Sequence, residues 1–226
     1  FGDWEPIGDN IDPFIGKLDG NGHTISHLTI DKPNMNNVGM FRNVKEAEIF
    51  NVHFADIQVS GGDYVGGIAG DLMRSNLVGS SVEGSVTGNE AVGLLVGYNN
   101  TSALEDNFAA GQLQFGKLPN QNFGGIVGYM AGTGSQFATV TRSYAAVSIP
   151  SGMSSGGMIG YLEANGRVTS SYWDTEASGV PDLGGASDKT TAEMKLKSTY
   201  SGWDFANTWG MIEKSTYPLH RSDYLK

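Results

Sequence analysis

The chain has 226 residues, and its 14 Lys and Arg face 24 Asp and Glu for a net charge of −10. That balance argues against nucleic acid as a partner, because such binding is driven by cationic side chains that neutralise phosphates. There are 33 glycines and no cysteine; without a strict triplet period this is not collagen, and no disulfide framework, thiolate metal site or thiol nucleophile is available.

The chain opens at Phe1-Gly2-Asp3-Trp4 with no basic segment leading into an apolar one, and it reads as a piece excised from a longer fold. No apolar run reaches the ~18 residues of a spanning helix, so no membrane insertion by this stretch is expected. Residues 1–37 form an N-terminal unit. There Phe14-Ile15-Gly16-Lys17-Leu18-Asp19-Gly20-Asn21-Gly22-His23-Thr24-Ile25 runs into His27-Leu28-Thr29-Ile30. Near-alternating apolar residues around Asp-Gly and Asn-Gly predict short strands joined by tight bends.

From 38 to 173 one stretch keeps returning. It reads Val65-Gly66-Gly67-Ile68-Ala69-Gly70, Val92-Gly93-Leu94-Leu95-Val96-Gly97, Phe123-Gly124-Gly125-Ile126-Val127-Gly128 and Ser155-Gly156-Gly157-Met158-Ile159-Gly160, after a worn copy at Val38-Gly39-Met40-Phe41. The copies start at 38, 65, 92, 123 and 155, in steps of 27, 27, 31 and 32 residues. Such a period marks a solenoid, and it is too short for a propeller blade of about 40 residues. Each copy is followed by alternating segments such as Ser81-Val82-Glu83-Gly84-Ser85-Val86 and Arg167-Val168-Thr169-Ser170-Ser171-Tyr172. The pattern predicts three strands and three bends per coil of a parallel β-helix, stacked about 4.8 Å apart into a rod about 30–40 Å long. Glycine pairs are expected at the corners, where positive φ is needed. Apolar residues between them should point inward in ladders. The longer last steps place extra residues near 111–122 and 130–137, expected to bulge as loops.

Residues 174–226 break the period. Thr190-Thr191-Ala192-Glu193-Met194-Lys195 carries a capping-box pattern for a short helix. Trp203, Phe205, Trp209, Tyr217 and Leu219 then form a dense apolar set. A solenoid end exposes strand edges and core, so this tail reads as a C-terminal cap; the other reading is an aromatic ligand platform.

The repeats resemble the GLUG motif, most closely in Gly93-Leu94-Leu95-Val96-Gly97-Tyr98 and Gly125-Ile126-Val127-Gly128-Tyr129. Phe14 to Ile30 resembles the segment that leads into such arrays. Ser171-Tyr172-Trp173-Asp174-Thr175-Glu176 and Thr190 to Phe205 resemble the tail that closes them. The resemblance implies a right-handed parallel β-helix and an extracellular role of the kind seen in bacterial filamentous adhesins, haemagglutinin-like exoproteins and the non-catalytic parts of IgA-cleaving metallopeptidases. It brings no catalytic residue. Residues 38–41 lack the closing glycine of the motif.

Gly152-Met153-Ser154-Ser155-Gly156 matches the Gly-x-Ser-x-Gly elbow in letters, but a repeat strand rather than a helix follows, so it reads as a turn. His23, His27, His53 and His220 form no zinc-peptidase motif and read as surface or packing residues. Asp3, Asp9, Asp12 and Asp19 fall near the start, and Asp174, Glu176 and Asp182 near the exit. Neither set recurs at one register, as the active groove of a β-helix lyase or glycosidase would require. No cofactor is implied; Ca²⁺ at Asp19-Gly20-Asn21-Gly22 has no specific motif behind it. The threonines do not recur at one register either, against an ice-binding face.

The expectation is thus a single all-β domain acting as a non-catalytic module of a large secreted or surface-exposed bacterial adhesin. Its partner would be a host or neighbouring-cell glycoprotein or glycan, with oligomeric state left open. Tyr172, Trp173, Asp174 and Glu176 at the exit are the candidate ligand contacts, because rings stack on pyranose faces while polar neighbours take hydroxyls; the alternative is that they pack against the cap. A structural stalk and a polysaccharide-active enzyme are the other two functional readings.

Overall fold

The alternating segments bury one face and pair with the equivalent segment a coil away, and this dictates a stack. The computed structural model describes residues 3–117, 121–150, 154–181 and 185–224. They form a right-handed parallel β-solenoid of about five turns with a small helical cap. Gly152 and Met153 of the elbow-like match, Asp182, and residues 118–120 of the first expected loop lie outside the described residues.

Each full coil has four strands where three were expected; one coil comprises Ala69–Met73, Asn76–Val78, Ser81–Gly88 and Glu90–Gly93. Equivalent strands of successive coils pair in parallel and build four sheets. We call them, in that order along the coil, the tyrosine face, the narrow face, the wide face and the glycine face. The extra strand arises because the recurrent glycine stretch is a corner rather than a strand. Val65 closes one strand and Ala69 opens the next, with Gly66-Gly67-Ile68 turning between them.

The glycine pairs are not there for positive φ, contrary to the expectation. Gly66 is required for close approach: a Cβ on it would stand 2.5 Å from Ala69 O and 2.6 Å from Leu95 O of the next coil. The left-handed conformations fall instead on Asn37, Tyr64, Ala91 and Asn122, with φ of 57°, 60°, 54° and 61°. Asn tolerates that region through local hydrogen bonding. Tyr64 and Ala91 are held there by the paired backbones on either side, a local strain that only an over-determined surrounding sustains.

Inward side chains stack in columns. On the narrow face the column is Leu18, Ile49, Leu77, Leu104, Val140 and Val168. On the wide face it is Phe54, Val82, Ala109, Ala145 and Trp173. Where a corner interrupts the backbone ladder, buried side-chain oxygens substitute for carbonyls. Ser80 Oγ accepts from Val52 N at 3.2 Å, Asn107 Oδ1 from Ser80 N at 2.9 Å, Ser143 Oγ from Asn107 N at 3.1 Å and Ser171 Oγ from Ser143 N at 3.1 Å.

Of the two expected loops, the second lies at 132–137, between the strands Val127–Ala131 and Ala138–Thr141. Residues 111–115 do not bulge, because they complete the wide-face strand Phe108–Phe115.

The C-terminal segment does two jobs. Ser187–Lys189 adds a strand beside Tyr172–Asp174, while Val180 and Ala186 pack on the exposed end of the core. The aromatic residues that follow do not stay at that end. They run back as a strap over the outward column of the wide face, His53, Ser81, Phe108, Tyr144 and Tyr172. Ring centroids lie 6.0 Å apart for Tyr172 and Trp203, 5.9 Å for Tyr144 and Tyr217, and 6.4 Å for Phe108 and Trp209. His220 Nε2 is 2.7 Å from Asp106 O, and Ser222 Oγ is 3.4 Å from His53 Nε2 in the first full coil. Among the described residues no helix is long and apolar enough to cross a membrane.

Candidate functional site

The four exit residues are placed mostly inside. Trp173 is the last member of an inward column, 2% exposed, and it fills the space left by Gly157, where any Cβ would strike its ring. Tyr172 points the other way, under the strap. Asp174, with no exposed surface, accepts from Glu176 N at 2.9 Å, Ala177 N at 3.0 Å, Thr191 Oγ1 at 2.7 Å and Tyr217 Oη at 2.6 Å. It caps the helix Thr175–Ser178 and pins the strap at once. Burial, and then the bond to Asp174, push the Tyr217 phenol up to about 12. Glu176 alone is exposed, and its Oε2 accepts from Thr191 N at 2.8 Å. Exposed rings on which a sugar could stack are therefore absent from these positions.

The other polar candidates also have structural partners. Asp19 Oδ1 accepts from Asn21 N at 2.8 Å and from Asn51 Nδ2 at 3.3 Å, which orders the Asp-Gly-Asn-Gly bend by itself. Among the described residues no group of three His, Asp or Glu is placed to hold a metal. His53 Nδ1 lies 2.9 Å from Ser81 Oγ, and its ring packs at a tilt against His220, with centroids 4.9 Å apart.

Phe115 and Phe137 are exposed singly, and a row of partly exposed rings lies instead on the tyrosine face. Tyr98, Tyr129 and Tyr161 occupy one register on three successive coils. Their centroids are separated by 5.3 Å and 5.0 Å, and Tyr64, from the neighbouring corner, extends the row at 5.8 Å from Tyr98. Tyr161 is 46% exposed; Tyr64, Tyr98 and Tyr129 are half-buried. The register arises because Tyr98, Tyr129 and Tyr161 each follow the closing glycine of a repeat, at the first outward position of the strand that leaves the corner. That spacing was readable in the sequence, since the positions after Gly70, Gly97, Gly128 and Gly160 are Asp71, Tyr98, Tyr129 and Tyr161.

The surroundings of the row are acidic. Tyr129 Oη donates to Glu163 Oε1, and that bond, helped by burial, raises the phenol well above its ordinary range. Burial, and then the charge of Asp71, raise Tyr98 as well. Asp71 continues the row one coil earlier and Asn43 one coil before that. Burial pushes the Asp71 carboxyl up to about 6. With neutral phenols near pH 7 and carboxylates beside them, the face can stack on apolar ring surfaces and hydrogen-bond hydroxyls, and it repels anions.

No family model matches the chain. It is 39% identical to halomucin of Haloquadratum walsbyi over 112 residues, which is 47% of this chain and 1% of that protein. It is 39% identical over 129 residues, or 54% of the chain, to a protein of Evansella cellulosilytica provisionally named a Gly-rich membrane protein, and covers 14% of it. The immunoglobulin A1 protease of Streptococcus pneumoniae is 24% identical over 178 residues, 75% of this chain and 8% of the protease. This chain thus spans a small fraction of each relative. The crystal structure of a Bacteroides ovatus protein, provisionally named an immunoglobulin A1 protease, superposes with a TM-score of 0.58 at 15% identity. The match covers 98% of this chain and 82% of that one, and it shows a shared solenoid fold.

Proposed function

We propose that this segment is a non-catalytic, GLUG-type module of a much larger secreted or surface-exposed protein, and that it binds a neutral polysaccharide or glycan chain along its tyrosine face. The reading is carried by one observation: tyrosine rings partly open to solvent at one register on three successive coils. A linear sugar polymer offers a repeating apolar ring face with hydroxyls at its edges, and a ladder with one ring per coil, 5.3 Å and 5.0 Å apart, also repeats along its length. The acidic rim of Asp71 and Glu163 favours neutral over anionic chains. The relatives support the setting: one is named a Gly-rich membrane protein, one halomucin and one an immunoglobulin A1 protease, and in each the matched segment is a minor part.

A non-catalytic role is consistent with the chemistry of the row. A phenol held neutral by Glu163 donates a hydrogen bond and is a poor base near neutral pH.

A neutral-glycan array probed with the wild-type chain and with Tyr129→Ala and Tyr161→Ala tests the reading. Binding that falls at least ~10-fold in each variant, about 1.4 kcal/mol, is the expected result. Binding that survives both substitutions would remove the row as the site. Silence of the folded wild type would leave the segment as a stalk that spaces other domains.

A further inference from the structure

One cavity beside the tyrosine face contains polar atoms that the fold leaves unused. It has a volume of about 320 Å³ and lies between the N-terminal loop carrying Asp9, Ile11 and Pro13 and the outer side of Asn43 and Asp71. Its outer wall is ordered: Asp9 Oδ1 accepts from Ile11 N at 2.7 Å and Asp12 N at 2.8 Å, and Phe14 N donates to Asn43 O at 2.9 Å. Asn43 is 8% exposed, yet among the described residues its Oδ1 has no hydrogen-bond partner, and neither has the buried Oδ1 of Asp71. The lining also holds Asn10 and Lys45, yet neither of these two buried acceptors is paired with them, and an acceptor left without a donor is costly. A fold that tolerates both next to a cavity is suited to a ligand that brings the donors. Ile11, 87% exposed, stands at the rim as an apolar surface.

The place of this cavity in the register is what gives it meaning. Asn43, Asp71, Tyr98, Tyr129 and Tyr161 are one column, so the two unpaired oxygens continue the row of rings at its N-terminal end. We infer that the Asn43–Asp71 cavity is a socket for the end residue of a neutral glycan, whose adjacent hydroxyls donate to Asn43 Oδ1 and Asp71 Oδ1 while the rest of the chain lies over the tyrosines. The inference rests on the reading of the tyrosine face and adds a polarity to it: the row holds the chain and the socket holds its end. A carboxylate flanked by an amide oxygen can take two hydroxyl donors from one sugar ring. The raised pKa of Asp71 follows from its burial.

Ligand-observed NMR with methyl glycosides of glucose, galactose and mannose isolates the socket from the row, and calorimetry with the matching hexasaccharides reads both together. The proteins are the wild-type chain, Asp71→Asn, Asn43→Ala and Tyr161→Ala. The socket predicts that one methyl glycoside binds the wild type and Tyr161→Ala alike, and weakens at least ~10-fold in Asp71→Asn. It predicts the same loss of hexasaccharide affinity in Asp71→Asn, in a protein whose thermal midpoint at pH 7 is no lower than wild type. A residue with a merely structural role would show the reverse pattern, lower stability with unchanged affinity. Hexasaccharide binding that is lost in Tyr161→Ala but untouched in Asp71→Asn and Asn43→Ala would overturn the socket and leave the row standing. Methyl-glycoside binding that depends on Asp71, with hexasaccharide affinity indifferent to Tyr161, would leave the socket and overturn the row. Silence of the wild type towards both probes would overturn both.

Discussion

Two columns of aromatic rings run along this solenoid, and they have opposite fates. On the wide face Phe108, Tyr144 and Tyr172 share a register and lie under the strap, sealed by Trp203, Trp209 and Tyr217. On the tyrosine face Tyr98, Tyr129 and Tyr161 share a register, and among the described residues no strap lies above them. Both follow from the same rule, that equivalent positions of successive coils come into contact. What separates them is a single chain segment lying over one and not the other. A column of rings is therefore a cohesive surface first. It becomes stability where the chain supplies its own cover, and stays partly open to solvent where it does not.

Stripping the covered stack should have the largest effect. Trp209→Ala removes a ring with no exposed surface that contacts Phe108, Tyr144, Trp203 and His220. An expected loss of about 3–5 kcal/mol is measurable by equilibrium urea unfolding, and glycan affinity of the folded fraction should not move. Asp174→Ala comes next, because it strands Tyr217 Oη and Thr191 Oγ1 and uncaps a helix. A cost of about 2–4 kcal/mol is expected, with limited proteolysis releasing the strap while the coils stay protected. Were the coils cleaved together with it, the strap would be part of one cooperative unit with the stack.

Asp71 sharpens the contrast from the open side. Its carboxyl sits at about 6 in the fold against the ordinary 3.8, so the folded state binds the proton more tightly. This favours folding fully below pH ~4, and the contribution is lost as pH rises through about 6. Asp71→Asn should remove the penalty of ionisation and raise stability by about 1–3 kcal/mol at pH 7–8. The difference from wild type should shrink towards pH 4 in thermal unfolding at stepped pH. The smallest effect belongs to Tyr129→Phe, which leaves the ring and removes the bond to the exposed Glu163. Stability should change by less than about 0.5 kcal/mol, and a clear loss of glycan affinity would show that the hydroxyl, and not the ring alone, meets the ligand.

Much of this architecture was legible in the sequence. The spacing of the glycine stretches gave the coil length, and the alternating segments gave parallel stacking with inward columns such as Leu77, Leu104 and Val140. The capping box at Thr190 is present, with Glu193 N donating to Thr190 Oγ1 at 3.2 Å and Thr190 N to Glu193 Oε2 at 2.8 Å. The tyrosine row was in plain view as well, one residue past each closing glycine, but a single tyrosine per repeat carries no weight until the coils are in register. The exit residues illustrate the converse. Tyr172, Trp173 and Asp174 look alike on paper as a polar-aromatic cluster, yet alternation along one strand sends Trp173 into the core and Tyr172 under the strap.

The sequence by itself determined the period, the parallel stack and the polarity of each strand, because these depend on local spacing and on which side chains avoid water. The tertiary structure decided the rest. It set the number of sides to a coil, because close approach at Gly66, and not φ, makes the corner. It decided which ring column is covered, because Trp209 reaches Asp106 across 103 positions of chain. It also brought Asn43 and Asp71 side by side around an open cavity. Contacts between residues so far apart depend on the path of the folded chain, and no pattern within one repeat encodes that path.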